Sequence, residues 1–97
     1  MNIEKLQKEF DGRGEMKGYH FLQLHSSKTA YIYTVTDKHS IMYEVIKIRT
    51  TPKWKDFDNK ILSETEFKEV YPKSKAFGTY GWTYKKIDDA IKKFSTI

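Results

Sequence analysis

The sequence predicts an α+β domain: an antiparallel sheet of three to four strands packed on a C-terminal helix, with a short N-terminal helix at its edge. Three observations predict it. Residues 19–50 fall into three runs rich in Tyr, Ile, Val, Thr and Phe, separated by polar clusters too short for a parallel crossover of a dozen residues. Residues 87–94 carry apolar side chains at i, i+3, i+4 and i+7. Ninety-seven residues set a single domain over 1–97 as the prior.

At the N-terminus Ile3, Leu6 and Phe10 recur at helical spacing with Asn2 as N-cap, and Asp11-Gly12-Arg13-Gly14 ends the segment. Nine residues do not hold a helix in isolation, so this stripe has to dock on the sheet. The strand runs are Tyr19–His25, Thr29–Thr36 and Ser40–Thr50, joined by Ser26-Ser27-Lys28 and Asp37-Lys38-His39.

Register decides which rings face outward. A two- or four-residue loop around Lys38-His39 puts Tyr31, Tyr33 and Val35 on one face with Met42, Glu44, Ile46 and Ile48; Ala30, Ile32, Thr34, Tyr43 and Val45 take the other. A three-residue loop instead groups Tyr31, Tyr33, Tyr43 and Val45, leaving Glu44 beside Ile32. The first arrangement is preferred. A helix on one face leaves the other open, so the open face is expected to be aromatic.

Residues 51–75 read less regularly. Pro52 ends a strand, Trp54 and Phe57 stand among Lys and Asp, and Asp58-Asn59-Lys60 reads as a turn. Ser63-Glu64-Thr65-Glu66 matches a capping box, which predicts a turn or two of helix through Phe67–Val70 before Tyr71-Pro72 stops it. In Ala76–Trp82 large aromatics alternate with small residues, as in a short strand or extended arm. Trp82, between Gly81 and the helix, reads as core. Thr83 is the expected N-cap of the final helix, in which Asp88 and Asp89 precede Lys92 and Lys93 by four.

Composition narrows the function classes. Leu, Ile, Val and Phe make up 22 of 97 residues, above the roughly 20% mark below which chains stay disordered, and aromatics make up 15%. Eighteen basic against 13 acidic residues leave +5, but only Arg13 and Arg49 are Arg, and base-edge readout favours the guanidinium fork. No Cys is present, which removes disulfides, thiolate nucleophiles and cysteine metal knuckles. With no apolar run near the ~20 residues of a span and no apolar leader, a reducing, cytoplasmic setting without a membrane is the expectation.

No constellation of catalytic residues is legible, so the reading is not an enzyme, with no cofactor and no metal. His20 and His25, five apart on a strand, are expected on opposite faces, and His39 lies in a turn. Asp56/Asp58, Glu64/Glu66 and Asp88/Asp89 lie among lysines in polar stretches, as solvated faces do. Gly12-Arg13-Gly14 follows a predicted helix, the wrong context for a dinucleotide loop.

What is left is binding. Tyr31 and Tyr33, with Glu44, Lys28 and Lys38, form the candidate surface: tyrosines and tryptophans make protein hot spots, and tyrosines interleaved with lysines also suit single-stranded nucleic acid. A third reading makes that face the seam of a homodimer. The stretches Glu69-Val70-Tyr71-Pro72, Ala76-Phe77-Gly78, Gly81-Trp82, the helix with Ala90, Ile91 and Phe94, and Tyr43-Glu44-Val45 resemble small uncharacterised proteins of bacteriophages and mobile elements. The likeness spans about the last third of the chain plus one strand. It implies a phage-type accessory protein in a host cytoplasm, engaging a host protein; no functional residue carries over from it.

Overall fold

The computed structural model describes residues 2–97 and shows an α+β chain. Among them run β1 (Asn2–Glu4), β2 (Glu9–Asp11), β3 (His20–Ser26), β4 (Ala30–Thr36), β5 (Ile41–Lys47), β6 (Arg49–Asp56), β7 (Ile61–Val70), β8 (Gly81–Tyr84) and α1 (Ile87–Phe94). Two compact units form. The larger takes Gln7–Lys47 and Pro72–Ile97; the smaller joins Ile48–Tyr71 to the residues up to Leu6.

The larger unit is a five-stranded antiparallel sheet in the order β2-β3-β4-β5-β8, with α1 on one face. Ser27 Oγ accepts from the Thr29 and Ala30 amides to close the β3–β4 turn. Asp37 does the same at the next one, accepting from the amides of His39 (2.8 Å) and Ser40 (2.7 Å). The Asp37–Ser40 loop has four residues, so Tyr33 stands opposite Glu44 and Ile32 opposite Val45, as the preferred register requires. α1 lays Ala90 and Phe94 on the Ile32/Val45 face, where Tyr43, Tyr84 and Ile97 complete the cluster.

The expected N-terminal helix does not form. Ile3 sits in β1, pairing in parallel with Phe67, while Phe10 sits in β2 opposite Phe21. An isolated nine-residue helix is marginal in water, whereas a strand beside an existing edge gains ladder hydrogen bonds at once. The stripe of Ile3, Leu6 and Phe10 is thus divided between the two units.

The smaller unit is a three-stranded sheet in the order β1-β7-β6. Pro52 does not end a strand; it lies within β6, an outer strand of this sheet, where a missing N–H is tolerated. Nor does the capping-box segment become helical. It bulges inside β7, between the pairs Pro52↔Phe67 and Trp54↔Leu62, and Ser63 Oγ accepts from the amides of Thr65 (3.2 Å) and Glu66 (2.9 Å). The local bond predicted for a helix start exists, but the long pairing with β6 sets the backbone on either side.

Candidate functional site

The residues expected to form an open aromatic surface are enclosed. Tyr31 retains 5% of its exposure, Tyr33 none and Glu44 6%; Val35 and Ile46 on the same face are also fully buried. Phe10 stacks on Phe21 (4.8 Å between centroids) and meets Tyr33 edge-on (5.6 Å), and Tyr31 packs edge-on against Tyr33 (6.1 Å). The Tyr33 hydroxyl, expected in water, donates to the Gln7 carbonyl at 2.7 Å and accepts from Gln23 Nε2 at 3.1 Å. Thr83 Oγ1 donates to the Glu44 carboxylate at 3.3 Å. Lys28 and Lys38 are exposed but sit beyond opposite ends of β4, about 20 Å of strand apart at ~3.3 Å per residue. The tyrosines are therefore core, and the five residues form no common surface.

The histidines also fall differently. A bulge between Gln23 and His25 adds one residue to β3, so His25 lies opposite Ile32 and His20 opposite Thr36, both on the helix face. Four rungs separate them. His20 is held between two carboxylates of the outer strand β2: Nδ1 to Asp11 at 2.8 Å and Nε2 to Glu9 at 2.7 Å. Hydrogen bonds to Asp11 and then Glu9 raise its pKa above the ordinary histidine value. The two ring nitrogens point away from each other, so these carboxylates cannot converge on one ion. Among the described residues no group of three or more His, Asp or Glu side chains is arranged to hold a metal ion, and no helix is long and apolar enough to cross a membrane.

Two other places gather exposed chemistry. The first is the tip of the β6–β7 hairpin. Trp54 (48% exposed) lies edge-on to Phe57 (70%) at 5.4 Å and opposite Leu62 (48%), with Ile61 (48%) beginning the returning strand. Asp56 holds the turn: its carboxylate accepts from the Asn59 amide (3.3 Å) and side-chain Nδ2 (2.7 Å), bonds that lower its pKa, while Lys60 takes the left-handed conformation at φ 54°. Below the tip an open hollow of about 400 Å³ is lined by Lys55, Ile61, Leu62 and the Ser63–Glu66 bulge. The turn at Asp58-Asn59-Lys60 was legible in the sequence; the exposure of the rings beside it follows only from the pairing of β6 with β7.

The second place surrounds Trp82 on β8, the outer strand of the five-stranded sheet. Its ring is half-buried rather than core, with Lys93 Nζ at 4.0 Å from the centroid and Lys47 Nζ at 5.7 Å. Thr83 continues β8, so Lys86, without a side-chain cap bond, precedes α1 instead. Nothing in the spacing of Lys47, Trp82 and Lys93 announces the cluster; sheet pairing and helix docking assemble it. Comparison with family models, with characterised proteins and with solved structures finds no match for this chain.

Proposed function

We propose that this protein is a non-enzymatic binding module that engages another protein through the tip of the β6–β7 hairpin. The observation that carries the reading is the group Trp54, Phe57, Ile61 and Leu62, four large apolar side chains each about half exposed or more within nine residues. Single exposed apolar residues are ordinary, but Trp54 in edge-on contact with Phe57 and paired across the ladder with Leu62, with Lys55, Asp58 and Lys60 exposed around them, groups as contact surfaces do. Trp supplies the largest gain on desolvation, and the open hollow lined by Lys55, Ile61, Leu62 and the Ser63–Glu66 bulge offers room for a partner's side chain. Because Asp56 already holds the turn, little loop ordering opposes binding. A host protein is the partner that the phage-type resemblance implies.

The test is affinity capture from host lysate, with nuclease present, comparing the native protein with Trp54→Ser/Phe57→Ser. A partner retained by the native protein and lost by the variant, with unchanged circular dichroism and melting temperature, supports the reading. An identical set captured by both proteins overturns it. Light scattering adds an independent arm: a dimer that the double substitution dissolves makes the tip a self-association seam and replaces the proposed partner with a second copy.

A further inference from the structure

The two units divide the charge unequally. The larger holds twelve basic against seven acidic residues and so carries the whole +5; the smaller holds six of each and is neutral. Within the larger unit the excess is concentrated toward the C-terminus, where residues 72–97 contain six Lys and two Asp. Trp82 stands in that stretch, beside the only two lysines whose Nζ atoms are placed against an indole among the described residues.

Neither of these ammonium groups has a carboxylate partner among the described residues. Asp89 precedes Lys93 by one helical turn, the spacing that favours an ion pair, yet Lys93 lies over the indole instead. Lys47 on β5 comes in from the neighbouring strand, its backbone N–H donating to the Tyr80 carbonyl at 2.9 Å. The result is two uncompensated cations flanking one aromatic ring on an outer strand, with Lys85, Lys86 and Lys92 exposed nearby in the chain.

We infer that Trp82, Lys47 and Lys93 form a binding site for single-stranded nucleic acid, with phosphates taken by the two ammonium groups and a base by the indole. A lysine parked on a ring is a displaceable cover, because at an exposed site its attraction to the ring is weaker than that of a stacked base. Single strands fit because their bases are free to stack, whereas a duplex keeps them inside. The use of Lys rather than Arg predicts backbone tracking with little base preference. This site is independent of the hairpin tip.

The experiment is a titration of ¹⁵N-labelled protein with oligodeoxythymidine of twelve nucleotides across a sodium chloride series. The indole signal of Trp82, identified with Trp82→Phe, is expected to move while that of Trp54 does not. Lys47→Gln/Lys93→Gln is expected to flatten the plot of log affinity against log salt by about 1.4, two phosphates at ~0.7 each for single strands. Lys5→Gln/Lys68→Gln, the same charge change in the neutral unit, leaves that slope unchanged. Trp82→Leu weakens binding about tenfold to a hundredfold through loss of one stacked base. Absent binding at low salt overturns the inference, as does a slope that both lysine pairs reduce equally. So does equal competition by inorganic polyphosphate with no movement of the Trp82 signal, which marks general polyanion attraction.

Discussion

The two units treat their aromatic residues in opposite ways. Among the described residues all nine buried hydrophobic side chains, Tyr31 and Tyr33 among them, belong to the five-stranded unit, which carries the net positive charge. The three-stranded unit contributes none of the nine; Trp54 and Phe57 stand at its surface and its charges cancel. Aromatic rings thus serve as core in one unit and as exposed surface in the other. An aromatic ring is informative about binding only after its burial is known, because its large apolar area suits both roles.

The contrast is sharpest between Tyr33 and Trp54. Tyr33→Ala removes a wholly buried ring and leaves the Gln23 amide and Gln7 carbonyl without their hydroxyl partner, so a loss of about 3–5 kcal/mol is expected in urea unfolding, most of the stability of a small domain. Trp54→Ala, at a ring half in water, is expected to cost less than about 1.5 kcal/mol, within reach of an ordinary surface substitution that also loses one ring–ring contact. Equal costs at the two positions would break the comparison and make the hairpin tip structural.

A smaller effect is expected at Gly81. A methyl group there would lie 3.1–3.3 Å from the ring carbons of Phe77, the residue with which Gly81 forms a bridge, while Gly78 turns the intervening chain at φ 96°. Gly81→Ala should cost about 1–3 kcal/mol by overpacking and displace Trp82 along with β8. Thermal unfolding would read the loss, and the indole resonances would show whether Trp82 moves while Trp54 stays. If neither changes, Phe77 yields freely and the strand does not depend on this close approach.

The smallest effect concerns His20 between Glu9 and Asp11. Its pKa is raised in the folded chain, so the stabilisation is complete below the unfolded value of 6.5 and disappears as pH rises through the folded one. The group is exposed, so the amplitude should be slight and salt-sensitive. A proton titration of the His20 ring is expected to give a midpoint above the ordinary histidine value, with amide exchange in β2 quickening over the same interval. His20→Gln should abolish that pH dependence. A midpoint at the ordinary histidine value would show that the carboxylates do not hold the charged ring.

Several features were readable in advance because their causes are local. The α1 stripe of Ile87, Ala90, Ile91 and Phe94 shows its period without reference to the rest of the chain, and α1 begins and ends where that stripe does. Asp37 and Ser40 bracket a four-residue loop, and the pleat then dictates that Tyr31, Tyr33 and Glu44 share a face. Hidden from such reading were β6 and β7, whose apolar residues are diluted with Lys, Glu and Asp, and the bulges at Ser63–Glu66 and near Leu24. A bulge moves every later residue to the other face, which is why His20 and His25 end on the same side.

By itself the sequence determined the α+β class, the C-terminal helix and, once the four-residue loop is chosen, which residues of β4 and β5 share each face, since these depend on spacing and turn chemistry among near neighbours. Only the tertiary structure decided which face is closed: Phe10 is a helix residue by its spacing and a lid over Phe21 and Tyr33 by its position. It likewise decided that Lys47 and Lys93, far apart in the chain, meet at Trp82. The physical reason is that burial is set by segments distant in sequence competing to remove apolar area from water, and periodicity within one segment carries no record of which competitor succeeds.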